Sequence, residues 1–188
     1  MSTTSALRRA SPSEILVHAP ISTPVGDLLL VADDTALRAV LWNDTDAEWR
    51  RAGLNRHHTR GDTTHPVLHS SSSQLTEWFT GVRQTFTMPH AVGGTDFQYA
   101  VWTALARIGH GHTRTYAEIA ADIDRPSAVR AVAGAIGRNP LSIVVPCHRV
   151  IGAKGQLTGF AGGVATKAAL LAIEGTLIPR DGQAHRRS

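Results

Sequence analysis

Cys147 is the only cysteine in 188 residues, and His148 and Arg149 follow it directly. A thiol attacks as its thiolate, and protonatable or positive neighbours raise the thiolate fraction. The run before it, Ile143-Val144-Val145-Pro146, is apolar and largely β-branched, which favours a buried extended segment; Pro146 removes a backbone donor just before the sulfur. This pattern predicts that Cys147 sits where a strand leaves the core. Adjacent side chains in extended chain point to opposite sides, so His148 would take the thiol proton through a bridging water rather than directly. The competing reading is an inert buried cysteine.

A second residue is out of place. A helix read from about 165 to 174 carries Leu170, Leu171 and Ile173 and stops at Gly175. Glu174 therefore puts a carboxylate at the negative end of a helix dipole. Exposed, it means nothing; given a buried histidine partner, it would orient a base.

The elements that must position these groups begin at Thr95-Asp96-Phe97-Gln98, a capping box that launches an apolar stripe of Phe97, Val101, Trp102, Leu105 and Ile108. Gly109-His110-Gly111-His112 ends that helix. Thr115-Tyr116-Ala117-Glu118 is a second capping box, opening a short helix to about Asp122. After the turn at Asp124-Arg125-Pro126, Ser127 is expected to cap a third helix to about Gly137, stopped by Asn139-Pro140. Two short helices joined by a tight turn form a helix-turn-helix pattern. Readers of the major groove need several Asn, Gln, Arg or Lys side chains, and this third helix offers only Arg130. Its small residues Ala128, Ala131 and Gly134 could approach a narrow groove while Arg130 enters a base stack; composition alone favours an ordinary packing face.

Upstream, Ile15 to His18, Leu28 to Ala32 and Leu37 to Trp42 read as an antiparallel meander with turns at 22–26 and 33–35. Residues 43–64 read as a polar surface connection, and Pro66 to Thr80 as a helix bearing Val67, Leu68, Leu75, Trp78 and Phe79. Thr85 to Met88 reads as a further short strand, and Val92-Gly93-Gly94 as a link. The glycine-dense stretch 151–163 reads as a backbone-lined loop, with no Gly-Lys-Ser/Thr phosphate signature. The division expected is a flexible 1–13, an α/β domain over 14–92, a helical domain over 93–178 and a flexible tail over 179–188.

Composition sets bounds on function. One cysteine can form neither an internal disulfide nor a Cys-rich zinc site, and the ten histidines include no His-Glu-x-x-His spacing. No metal or other cofactor is expected. A leading segment without an apolar stretch, and no run of membrane-crossing length, point to the cytoplasm. Residues 1–96 carry 8 Arg against 10 Asp and Glu, net −2, whereas 97–188 carry 11 Lys and Arg against 5, net +6. The basic half holds the cysteine, a charge pattern that suits nucleic acid.

Taken together, Pro146-Cys147-His148-Arg149-Val150, the preceding Arg130-Ala-Val and Asn139-Pro140, and the following Gly159-Phe-Ala-Gly-Gly163, Leu170-Leu171 and Glu174-Gly175 resemble the methylated-DNA-protein-cysteine methyltransferase family, also called O6-alkylguanine-DNA alkyltransferase. The resemblance implies an α/β (α+β) protein: a small N-terminal domain with an RNase H-like antiparallel sheet, and a helical C-terminal domain with a minor-groove helix-turn-helix and an active-site loop. It implies irreversible, one-per-chain transfer of an alkyl group from O6-alkylguanine, with O4-alkylthymine as a candidate second substrate, in double-stranded DNA. Cys147 would be the acceptor, His148 the base acting through water, and Glu174 the carboxylate that orients it. Arg130 would fill the stack vacated by the flipped nucleotide, Tyr116 would help rotate that nucleotide and donate to the leaving guanine, and Asn139 would brace the active-site turn. Ser127, Ala128, Ala131 and Gly134 would face DNA, and Tyr116, Ile136, Val150, Phe160 and Ala161 would line the pocket. The partner implied is alkylated duplex DNA, with no membrane, met by a monomer that could load cooperatively. Phe160 and Ala161 stand where the family often has Tyr or Ser, which bears on bulky alkyl groups. Two other classes remain open on residues alone: a helix-turn-helix regulator with a redox thiol, short of base-reading side chains, and a Cys-His-Glu hydrolase, which leaves Arg130 and Asn139 idle.

Overall fold

The computed structural model describes residues 5–11 and 15–176. The first segment carries a two-residue strand, β1 (Arg8–Arg9), and the meander follows as β2 (Leu16–Thr23), β3 (Gly26–Ala32) and β4 (Leu37–Leu41). Gly26, at φ 108, supplies the left-handed backbone that closes the first hairpin. Asp33 closes the second by accepting from the backbone amides of Thr35 and Ala36. Strand alternation then sorts the side chains between two faces. Leu28, Leu30, Leu37 and Val40 enter the main core, whereas Leu29, Val31, Ala39 and Leu41 meet Trp49 on the other side.

Trp49 belongs to α1 (Asp46–Arg51), which Thr45 caps, and beyond it lie a 3-10 turn at Arg56–His58 and β5 (Thr59–Gly61). β5 runs parallel to β2, giving the order β4-β3-β2-β5. Residues 43–64 are therefore more than a surface connection, because one large apolar side chain among polar neighbours suffices to dock them on the sheet. The opposite face is covered by α2 (Pro66–Phe79), through Leu68, Leu75 and Trp78.

No strand forms over 85–88. Gln74 of α2 accepts from the amides of Thr87 and Met88, so these donors are satisfied by a side chain and Phe86 and Met88 drop into the core. The strand comes slightly later, as β6 (Ala91–Val92), and it pairs in parallel with β1. Leu7 is buried beside it, so residues 5–11 are packed rather than free. The tail expected over 179–188 lies outside the described residues.

The second unit contains α3 (Asp96–Ala106), β7 (Arg114–Thr115), α4 (Tyr116–Asp122), α5 (Val129–Gly137), β8 (Val150–Ile151) and α6 (Val164–Ile173). Both expected capping boxes form, at Thr95 with Gln98 and at Thr115 with Glu118. The cap of α5 is Ala128, not Ser127. The reversal at Asp124, φ 58, continues through an Ala128-to-Arg125 backbone bond, so Ser127 is spent in the turn. α4 and α3 both pack on α5, which makes the helix-turn-helix. β4 ties the units together through Val40 N, which donates to Pro140 O at 2.9 Å, while Leu37 N donates to Pro89 O within the first unit. One apolar core runs from Leu30 through Trp102 to Leu170. Among the described residues no helix is long and apolar enough to cross a membrane.

Candidate active site

Ile143 to Pro146 is not a strand. Asn139, at the end of α5, donates from Nδ2 to Val145 O at 2.8 Å and accepts at Oδ1 from Leu141 N at 3.1 Å. Further turns, Val145 N to Leu141 O and Cys147 N to Val145 O, fold the run back on itself. Ile143 is held at φ 72, a position unfavourable for a β-branched residue. Apolar content was a sound guide to burial here, but not to extension, because one buried amide takes the bonds that a ladder would have used. Cys147–Arg149 then form a single 3-10 turn. Successive side chains in such a turn lie about 120° apart rather than on opposite sides.

That turn sends His148 and Arg149 together onto Glu174, which caps the C-terminal end of α6 and is buried. His148 Nε2 lies 3.0 Å from Glu174 Oε1; Arg149 reaches the same oxygen through NH2 at 2.6 Å and Oε2 through Nε at 2.9 Å. Burial alone would raise the Glu174 carboxyl, but the hydrogen bonds from His148 and Arg149 prevail and hold it at about 2. An ionised carboxylate only accepts, so Nε2 of a neutral His148 carries the proton and Nδ1 is the basic atom. Nδ1 is buried without a hydrogen-bond partner among the described residues. Burial pushes the His148 imidazole below its ordinary value, against the pull of Glu174, so the ring is neutral at pH 7.

Cys147 is buried and free. Burial raises its thiol, outweighing the Asn139 amide and the charges of Arg51 and Lys167. The positive neighbours of the sulfur are therefore not those adjacent in sequence, since Arg149 is committed to Glu174. Lys167, on α6, is fully buried, brought down to about 8 by burial, and donates from Nζ to Thr158 O at 2.9 Å. No hydrogen bond joins Cys147 to His148 among the described residues, which leaves a relay as the route between them.

Tyr116, Ile136, Phe160 and Ala161 meet around one cavity of about 530 Å³ that Glu48 and Arg51 also line. Val150 does not join them; its side chain is fully buried in the core, and its backbone pairs with β7. Ser127, Arg130, Ala131 and Gly134 are exposed and Ala128 half-buried along the outer face of the α4–α5 unit. The loop bearing Phe160 is fixed by Trp42, whose ring meets Phe160 edge-to-face at 5.2 Å and whose Nε1 donates to Ser142 Oγ at 3.0 Å. A Cβ on Gly162 would lie 2.6 Å from the same indole, so glycine is required there.

The DNA-binding domain model of 6-O-methylguanine DNA methyltransferase matches residues 96–176, and the ribonuclease-like domain model of the same protein matches residues 16–91. The chain belongs to the 6-O-methylguanine DNA methyltransferase family. It is 43% identical over 154 residues to the constitutive methylated-DNA–protein-cysteine methyltransferase of Bacillus subtilis, covering 81% of this chain and 91% of that one. The methyltransferase of Shigella flexneri is 42% identical over 173 residues, covering 87% and 98%. A crystal structure of Mycobacterium tuberculosis OGT in complex with DNA superposes with a TM-score of 0.76 at 39% identity, over 84% of this chain and 92% of that one.

Within this methyltransferase, sequence reasoning brought Cys147, His148, Glu174 and Asn139 to one place and missed their supports. Lys167 carried a readable signal, because with Leu170, Leu171 and Glu174 it keeps one helical face at i, i+3, i+4 and i+7, a charge on an apolar stripe. Arg51 carried none. It lies in the segment read as a surface connection, yet it pairs with Glu48 at 2.7 Å and donates to Asn139 O, gripping from the other domain the turn that leads to Cys147.

Proposed function

We propose that the chain repairs O6-alkylguanine in duplex DNA by moving the alkyl group onto Cys147, once per molecule, as a cytoplasmic monomer. The observation that carries this reading is a buried lone thiol next to a histidine whose tautomer a buried carboxylate fixes, set behind the same helix pair that presents Arg130. In the proposed reaction the Cys147 proton passes through water to His148 Nδ1, while Glu174 steadies the imidazolium. The sulfur then attacks the alkyl carbon in line. The S–C bond forms, the C–O6 bond breaks, and the electron pair leaves on guanine, which is reprotonated as His148 returns its proton; the Tyr116 hydroxyl donates to the departing base. Lys167 and Arg51 offset the transient negative charge on sulfur.

A thioether has no easy leaving path, so each chain is consumed. Extruding the nucleotide costs a few kcal/mol, and phosphate contacts together with Arg130 in the vacated stack offset it. Asn139 braces the turn, Ile136, Phe160 and Ala161 wall the base, and the backbone of Val150 holds its edge. O4-alkylthymine offers the same alkyl-oxygen bond and is a second substrate of this reading. The names of the B. subtilis and S. flexneri relatives, and the DNA seen with the M. tuberculosis protein, support the assignment.

Intact-mass spectrometry after incubation with an O6-methylguanine duplex is expected to show one added methyl on the Cys147 peptide, saturating at one equivalent of DNA. Turnover beyond one equivalent, or binding without modification, would overturn the assignment.

A further inference from the structure

Trp78 belongs to α2 of the ribonuclease-like domain, yet its ring stands edge-to-face against His148 of the other domain, with centroids 6.0 Å apart and planes at 75°. It is completely buried. The same indole meets His110 at 6.5 Å and 72°, in the turn whose Gly111 amide donates to Glu174 Oε2 at 3.4 Å. The indole thus touches both the base and the loop that helps hold the base's carboxylate.

The indole Nε1–H has no partner among the described residues, although buried Trp nitrogens ordinarily have one. A set of aliphatic side chains would fill the volume without stranding a donor, so plain packing does not account for an aromatic ring here. An apolar plane against His148 does. Charged and titratable groups face the imidazole from elsewhere: Glu174 and Lys167 from the α6 segment and Arg149 within its own turn, with His110 in contact with the indole. From α2 it is the indole surface of Trp78 that meets the imidazole. That surface excludes water, which favours the uncharged imidazole, and it restricts the ring to the plane in which Nε2 meets Glu174.

We propose that Trp78 is the positioning residue for His148, so that the N-terminal domain completes the proton relay of the C-terminal one. The proposal rests on the reading of His148 as the base. It accords with the depressed proton affinity of His148, whose first cause is burial.

The test is the pH dependence of single-turnover methyl transfer, with His148 followed by NMR in the same samples. In the wild-type protein the His148 ring protons are expected to carry an indole ring-current shift, and the imidazole to titrate below the ordinary histidine value of about 6.5, with the acid limb of the rate following it. Trp78→Leu opens a gap to water, so the histidine charges more readily. Its acid limb is expected to move up by about one pH unit, so that the rate falls roughly tenfold at pH values on that limb and changes little at pH 7. Trp78→Phe is expected to restore the wild-type limb. Unmoved His148 signals and an unmoved limb in Trp78→Leu, with only a lower melting temperature, would reduce Trp78 to packing. Should Trp78→Leu not fold, the wild-type spectrum decides alone: an ordinary titration without a ring-current shift overturns the proposal. Failure of the wild-type protein to methylate Cys147, or an acid limb unrelated to His148, would instead defeat the underlying reading.

Discussion

At the scale of single residues, Glu174 is the group on which the site's electrostatics turn. It receives His148 and both Arg149 contacts while buried, and removing its charge would strand a guanidinium in the interior. Its carboxyl lies at about 2 in the folded protein against an ordinary 4.5, a difference equivalent to roughly 3 kcal/mol. Because the folded value is the lower one, this stabilisation is fully present above the ordinary carboxylate range and is lost as pH falls toward about 2. Glu174→Gln is therefore expected to lose about 3 kcal/mol in urea unfolding at pH 7. The gap from wild type should narrow steadily between pH 4.5 and 3. Methyl transfer should slow on the order of a hundredfold, because the imidazolium loses its counter-charge. A gap that stays constant with pH would mean that the carboxylate is not what the variant lost.

At the scale of elements, what could be read in advance followed how local the deciding interaction was. The meander depends on adjacent strands and forms, with β2 running on past His18 to Thr23; the two capping boxes and the apolar stripe of α3 depend on residues within one turn of each other, and form where expected. The active-site run did not, because Asn139 and a distant Arg51 govern its path. Cys147, His148 and Glu174 were legible as residue types, whereas Lys167, Trp78 and Trp42 act across contacts that only the folded chain brings together. β1 is a further case. A two-residue strand has no sequence signal, yet Arg8 N donates to His90 O and Ala10 N to Val92 O, Tyr99 OH donates to Leu7 O at 2.9 Å, and Arg9 lies 4.3 Å from the Tyr99 ring centre. This segment precedes the matched family domains and straps the connection between them. The exposed Arg9–Asp96 pair adds little; burial of Leu7 is what holds the strap. Leu7→Ala should lower unfolding stability by about 2 kcal/mol and leave the methyl-transfer rate within about twofold, since no site contact passes through it. A rate loss exceeding the stability loss would instead connect the strap to the active-site turn.

At the scale of the whole molecule, charge and chemistry are divided between the halves: net −2 over residues 1–96 and net +6 over 97–188. Arg125, Arg130, Arg138 and Lys154 are exposed in the basic half, on or near the α4–α5 unit and the loop after Cys147. In the acidic half Arg56 pairs with Asp44 at 2.6 Å and Arg9 with Asp96 at 2.7 Å, so their charges are already answered within the protein. DNA affinity should accordingly be salt-dependent through one half only. In fluorescence anisotropy with duplex DNA, log affinity is expected to fall with log salt at a slope of roughly −2 to −4, about −0.9 for each phosphate neutralised. Arg138→Ala should reduce that slope by about 1, and Arg56→Ala should leave it unchanged. Arg130 behaves differently if it enters the base stack. Its replacement by Ala should cost more in repair of duplex than in the slope, and should spare reaction with free O6-benzylguanine, which needs no vacated stack. Equal losses on duplex and free base would place Arg130 at the active site rather than in the DNA, and an equal slope change in Arg56→Ala would spread the contact surface over both halves.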